Sequence, residues 1–202
     1  LKPLIALLTS GTPVAKEKAA GVLKNLSVNA DNKVAIAEEG GLKPLIALLT
    51  SGTPVGKERA AAALLNLSVN DDNKVAIAKE GGLKPLIALL TSGTPVGKER
   101  AAAALANLSA NADNKVAIAE KGGLKPLIAL LTSGTPVGKE RAAAALRNLS
   151  LNADNKVAIV KEGGLTPLIA LLTSGTPVGK EKAAEALGNL SANNADNKVA
   201  IA

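Results

Sequence analysis

The chain of 202 residues carries a net charge of +7, with 47% apolar and 20% charged residues, and it lacks Cys, His, Met, Phe, Trp and Tyr altogether. That composition supplies an aliphatic core of Leu, Ile, Val and Ala, and it excludes a disulfide framework, a thiolate or imidazole metal site and His- or Cys-dependent hydrolysis. No apolar run approaches the roughly 18 residues of a membrane span, and Leu1 to Leu8 lacks the length and basic flank of a signal peptide, so the chain reads as soluble with its compartment unassigned.

One stretch, GLKPLIALLTSGTPVGKERAAAALLNLSVNDDNKVAIAKEG from Gly41 to Gly81, recurs with small edits along the whole chain. Pro3, Pro44, Pro85, Pro126 and Pro167 fall at a constant spacing of 41 residues, as do Asn25, Asn66, Asn107, Asn148 and Asn189. Self-similarity at roughly 20 to 50 residues marks a solenoid, in which each unit buries its apolar face only by stacking on its neighbours. The array reads as a single domain over 1–202 with units near 1–41, 42–82, 83–123, 124–164 and 165–202. Net charge divides among them as +1, +1, +2, +3 and 0, and acids are interleaved throughout. The near identity of the units points to an idealised sequence or a very recent duplication.

Each unit resolves into three helical segments. In LKPLIALLTSG, Leu42 to Gly52, apolar residues at Leu42, Leu45, Ile46 and Leu49 form the stripe of a helix with one buried face. Pro44 lies in the first turn, where its missing N–H needs no partner, and Gly52 ends the helix. The long helix opens at Thr53-Pro54, a capping hydroxyl followed by a first-position proline, and Ala60, Ala63, Leu64 and Leu67 are its expected buried stripe. The short helix, Asp72 to Glu80, is expected to be capped by Asp72 or Asn73, to place Val75 and Ala78 on one apolar side, and to stop at Gly81-Gly82.

Several apparent motifs carry no chemistry. GTPVGKE, Gly52 to Glu58, is one residue short of a phosphate loop, has Glu where the magnesium-binding hydroxyl belongs, and follows a helix instead of a strand. Asn-Leu-Ser matches a glycosylation sequon but sits in a long helix. Asp-Asn-Lys sets a cation beside each carboxylate, which argues against metal binding. No cofactor and no catalytic residue is expected.

The edits between units are informative. Lys24, Leu65, Ala106, Arg147 and Gly188 share one column, and a position accepting all five is expected to face solvent or a ligand. The last unit gains a residue within Ser191 to Lys198, expected in a loop.

DNKVAIAKEGG, then LKPLIALLTSG, then a long helix ending AAAALLNLS together resemble the armadillo repeat over the whole chain, in the variety found in plant U-box proteins. The resemblance implies an all-α superhelical solenoid of about five three-helix repeats, with the long helix lining a concave groove. In that family the matching asparagine bonds the backbone of an extended peptide, which implies this role for Asn25, Asn66, Asn107, Asn148 and Asn189. On the long helix Arg59, Ala62 and Asn66 share a face, and stacking sets Lys18, Arg59, Arg100, Arg141 and Lys182 into a parallel basic ladder, with Lys24, Leu65 and Arg147 beside it. Peptide-binding members often carry Trp where this chain has Gly21, Ala62, Ala103, Ala144 and Glu185, so aromatic pockets are missing and weak affinity is expected.

The expected function is a non-enzymatic repeat scaffold of consensus or designed type, with a groove for extended and preferably acidic peptides. The alternatives are a solvated groove that binds nothing and a fragment of a natural array mediating protein–protein contacts. Nucleic acid is not expected as a partner, because acids are interleaved and no ring is present to stack on bases. The chain starts at the second helix of an armadillo unit and stops at Ala202 inside the first helix of another without a polar cap, so head-to-tail association is also expected.

Overall fold

The computed structural model describes residues 1–192 together with Asn197 and Lys198. In chain order the helices are α1 (Lys2–Ser10), α2 (Pro13–Leu26), α3 (Ala30–Glu38), α4 (Leu42–Ser51), α5 (Pro54–Leu67), α6 (Asp71–Lys79) and α7 (Leu83–Ser92). They continue with α8 (Pro95–Leu108), α9 (Ala112–Glu120), α10 (Leu124–Ser133), α11 (Pro136–Leu149), α12 (Ala153–Lys161), α13 (Leu165–Ser174) and α14 (Pro177–Ser191). The described residues contain no strand, and no single helix among them is long and apolar enough to cross a membrane. The extra residue of the last unit and the end of the chain lie outside the described residues.

Helix boundaries follow local chemistry. The Thr53 hydroxyl accepts the Gly56 N–H at 3.0 Å, and Pro54 supplies the first helical residue of α5. Gly52 ends α4 in an extended conformation, φ −77°, so its requirement is for space: a Cβ there would lie 2.6 Å from the Leu48 carbonyl oxygen. At the end of α6 the Gly82 N–H bonds the Ile77 carbonyl and the Gly81 N–H bonds the Ala78 carbonyl, a Schellman ending that requires the left-handed φ of +80° at Gly81.

The short helices depart from expectation in two respects. α6 is capped by Asn70, whose side chain accepts the Asn73 N–H at 3.0 Å, and not by Asp72 or Asn73. Its inward residues are Asn73 and Ile77, one turn apart, whereas Val75 lies two residues from both and is therefore rotated to the exposed side.

Helices of like position form three rows. Leu45, Leu64, Leu67 and Ile77 are fully buried between them, as are Ala60, Ala61 and Ala63, and their counterparts join one cluster running from Leu8 to Leu190. The row α2, α5, α8, α11 and α14 packs far more closely than the row α1, α4, α7, α10 and α13 or the row of short helices. Alanines permit that approach. A stack whose one row is drawn tighter than the others bends toward it, which puts the long helices on the inside of the curve.

Candidate functional site

Because the long helices form the inner row, their outward faces share one surface. The expected group Arg59, Ala62, Leu65 and Asn66 does converge, lining a cavity of about 280 Å³ with Lys24 from the preceding repeat and Arg100 from the following one. Glu58 and Val96, which the sequence did not single out, complete its wall. Arg59 lies against Gly21, where a Cβ would sit 3.3 Å from Arg59 Cδ, so the small residue there leaves room for the aliphatic stem of Arg59. In the varied column Lys24, Leu65 and Arg147 are half-buried and Gly188 is exposed, but Ala106 is buried beneath its larger neighbours.

The asparagines have a role inside the fold. Asn66 Nδ2 donates to the Lys24 carbonyl at 3.0 Å and to Ser27 Oγ at 3.2 Å, and Asn107 does the same to Leu65 and Ser68, each at 3.2 Å. Asn148 reaches the Ala106 carbonyl at 2.8 Å, and Asn189 reaches the Arg147 carbonyl and Ser150 Oγ at 3.1 Å. Asn25 makes no such bond. Because the acceptors are carbonyls, the atom facing them is the amide nitrogen and not the oxygen. In Asn66, Asn107, Asn148 and Asn189 the amide nitrogen is thus the engaged atom, and Oδ1 has no protein donor among the described residues. The same bonds suit the varied column: the asparagine of the next repeat uses the main-chain carbonyl of Lys24, Leu65, Ala106 or Arg147, which is present whatever the side chain.

Two further polar ladders join the repeats, and sequence reasoning missed both. Asn73, Asn114 and Asn155, each almost fully buried, donate from Nδ2 to the carbonyls of Lys33, Lys74 and Lys115 at 3.0 Å. The capping threonines Thr53, Thr94, Thr135 and Thr176 donate their hydroxyls to Glu17, Glu58, Glu99 and Glu140 of the preceding long helix. The signal available was the period itself, since a polar residue that returns in every unit on a stacking face has the neighbouring unit as its partner.

These bonds decide the electrostatics of the inner face. Glu58, Glu99 and Glu140 are each engaged by a threonine hydroxyl, and among the described residues neither Arg100 nor Arg141 has an ion pair. Arg59 has one loose contact, to Glu17 at 3.9 Å, and Lys18 is exposed. The α14 end differs: Glu185 meets Arg147 and Lys182, each at 3.1 Å, and Lys182 meets Glu181 at 2.6 Å. Lys182 holds the Glu181 carboxyl below its ordinary value, while Glu181 and then Glu185 hold the Lys182 ammonium above its own. A larger cavity of about 420 Å³ lies at the short helices, but Glu38, Asp72 and Glu80 share its lining with Lys43 and Lys79, so it offers a ligand both signs of charge.

Among solved structures, an engineered protein is 34% identical at a TM-score of 0.93, the match covering 99% of this chain and 83% of that one. A structure of computationally designed armadillo repeat proteins for modular peptide recognition is 26% identical at a TM-score of 0.94, covering 100% of this chain and 86% of that one. A designed armadillo repeat protein in complex with the peptide (KR)4 is 24% identical at a TM-score of 0.91, with the same coverage. Curated proteins yield no match. The sequence profile of the Armadillo/beta-catenin-like repeat matches residues 29–69, 70–110, 111–151 and 152–192, and each match opens on the capping asparagine of a short helix. With four matched repeats in register with four observed helix triplets, the chain belongs to the armadillo repeat family.

Proposed function

We propose that the chain is a non-enzymatic scaffold of designed, consensus type, one solenoid domain over 1–202, whose inner face takes an extended peptide bearing acidic side chains. The observation that carries this reading is the pair Arg100 and Arg141, unpaired on the inner face while the neighbouring glutamates are held by threonines. The asparagine Oδ1 row accepts N–H groups from the ligand main chain, and the arginines take its carboxylates. Likeness to designed arrays for modular peptide recognition supports an extended peptide as the partner. With no ring on the face to anchor long side chains, binding is weak and governed by charge. Titration of a fluorescent Asp/Glu-rich peptide and a neutral control, at low and high salt, tests the reading. Salt-sensitive binding of the acidic peptide alone is expected, and equal behaviour of the two removes the proposal.

A second reading concerns the end faces. Leu165, Ile169 and Leu172 of α13 are only half-buried, whereas their counterparts Leu124, Ile128 and Leu131 in α10 are buried. A second copy stacked by its α1–α2 face would cover them as α10 is covered. Light scattering over a range of concentration is expected to show mass rising with concentration, and a constant monomer mass rejects it.

A further inference from the structure

We infer that Glu185 ends the cationic track of the groove and so sets the register of an acidic peptide, which seats across α5, α8 and α11 and not on α14. The inference rests on the acidic-peptide reading above and adds to it the place of binding.

It begins from one column. Where the first four copies have Gly21, Ala62, Ala103 and Ala144, the fifth has Glu185. The small residues bring no charge to that face, and among the described residues Arg100 and Arg141 have no ion pair. Glu185 reaches back to Arg147 Nη1 at 3.1 Å and along its own helix to Lys182 Nζ at 3.1 Å. One substitution in the repeat thereby occupies both cations at that end of the face. Glu181 adds to this: its counterparts Glu58, Glu99 and Glu140 are held by threonine hydroxyls, whereas Glu181 turns to Lys182 at 2.6 Å. A ligand carboxylate arriving over α14 meets two protein carboxylates and no vacant cation. Over α5 to α11 it meets three arginines one repeat apart.

The Arg147–Glu185 contact is also poorly aligned. Arg147 Nε and Glu185 Oε2 are both buried atoms without a hydrogen-bond partner, so the pair is held by charge and not by a paired fork. Removal of the Glu185 carboxylate therefore leaves Arg147 available to a ligand.

The test measures anisotropy of a fluorescent oligo-glutamate peptide on the full chain and on four variants: Arg100→Ala, Arg147→Ala, Glu185→Ala and the double variant Glu185→Ala with Arg147→Ala. Alanine already occupies the columns of Arg147 and Glu185 in other copies, at Ala106 and Ala144, so those two changes suit the fold, and Arg100→Ala shortens a side chain on the helix surface. Arg100→Ala is expected to weaken binding about 3-fold, the scale of an exposed charge pair, and Arg147→Ala to leave it unchanged. Glu185→Ala is expected to tighten binding about 3-fold, and the double variant to lose that gain. Equal loss in Arg100→Ala and Arg147→Ala, or no gain in Glu185→Ala, overturns the register while leaving the acidic reading intact. Absence of salt-sensitive binding in both the unaltered chain and Glu185→Ala removes the acidic reading, and the register with it.

Discussion

The decapeptide LKPLIALLTS occurs at Leu1–Ser10 and, residue for residue, again at Leu42–Ser51. Both copies fold as helices, α1 and α4, yet in α1 only Leu8 is buried, while in α4 Leu42, Leu45, Ile46, Leu48 and Leu49 all are. Identical side chains thus contribute differently according to whether a repeat is stacked on each side. A stripe of leucines establishes which face of a helix can be buried, and the neighbouring repeats decide whether it is.

The contrast is broken or sharpened most strongly in the leucines themselves. Leu86→Ala in α7, a fully buried site, is expected to cost about 2–5 kcal/mol by cavity formation, whereas Leu4→Ala at the matching half-buried site of α1 costs less than half as much. Urea denaturation followed by circular dichroism gives both values, and similar losses would mean that α1 is packed as α7 is.

The next effect is in the buried asparagines. Asn114 holds the Lys74 carbonyl at 3.0 Å and the Leu108 carbonyl at 3.2 Å, while Asn32, its counterpart at the start of the chain, holds only the Leu26 carbonyl at 3.2 Å. Asn114→Ala is expected to destabilise by about 1–3 kcal/mol and Asn32→Ala by about 1 kcal/mol or less, because fewer carbonyls are left without a donor.

Capping threonines give a smaller version of the same comparison. Thr94 both caps α8 and donates to Glu58, whereas Thr12 only caps α2, through the Ala15 N–H at 3.2 Å. Each alanine variant loses a cap worth about 1 kcal/mol. Thr94→Ala is expected to lose about 1 kcal/mol more, and that excess should vanish in a Glu58→Ala background, which removes the acceptor, as a double-mutant cycle will show.

The smallest effect is the pH response of α14. Since Lys182 lowers the Glu181 pKa in the folded chain, the pair contributes stability above the ordinary carboxylate range and loses it as pH falls through the lowered value. The raised Lys182 value makes the same contribution fade again as pH rises through it. Urea midpoints of the unaltered chain and Glu181→Gln are expected to converge at both extremes and to differ slightly, in favour of the unaltered chain, near neutral pH.

Much of the framework was legible in short segments. Thr53-Pro54 starts a helix because a hydroxyl and a fixed φ act within one turn, and Gly81-Gly82 stops one because the left-handed conformation is needed at a single residue. Asn70 was missed as a cap because Asp72 and Asn73 carry equally suitable side chains, and only the direction of the chain leaving α5 selects among them. Val75 was placed on the wrong side because a nine-residue helix with alternating small residues has too weak an apolar stripe to define its face.

The sequence by itself determined the 41-residue period, the three helices of each unit, their main stops and starts, and the column of basic residues that shares a face with the asparagines. These are local properties or consequences of strict repetition. Only the tertiary structure decided which copy of a leucine is buried, that Asn66, Asn107, Asn148 and Asn189 donate to the preceding repeat, and that threonines engage the glutamates beside the arginines. Those outcomes depend on contacts across repeats, at separations of 36 to 42 residues, where the distance along the chain carries no information about direction in space.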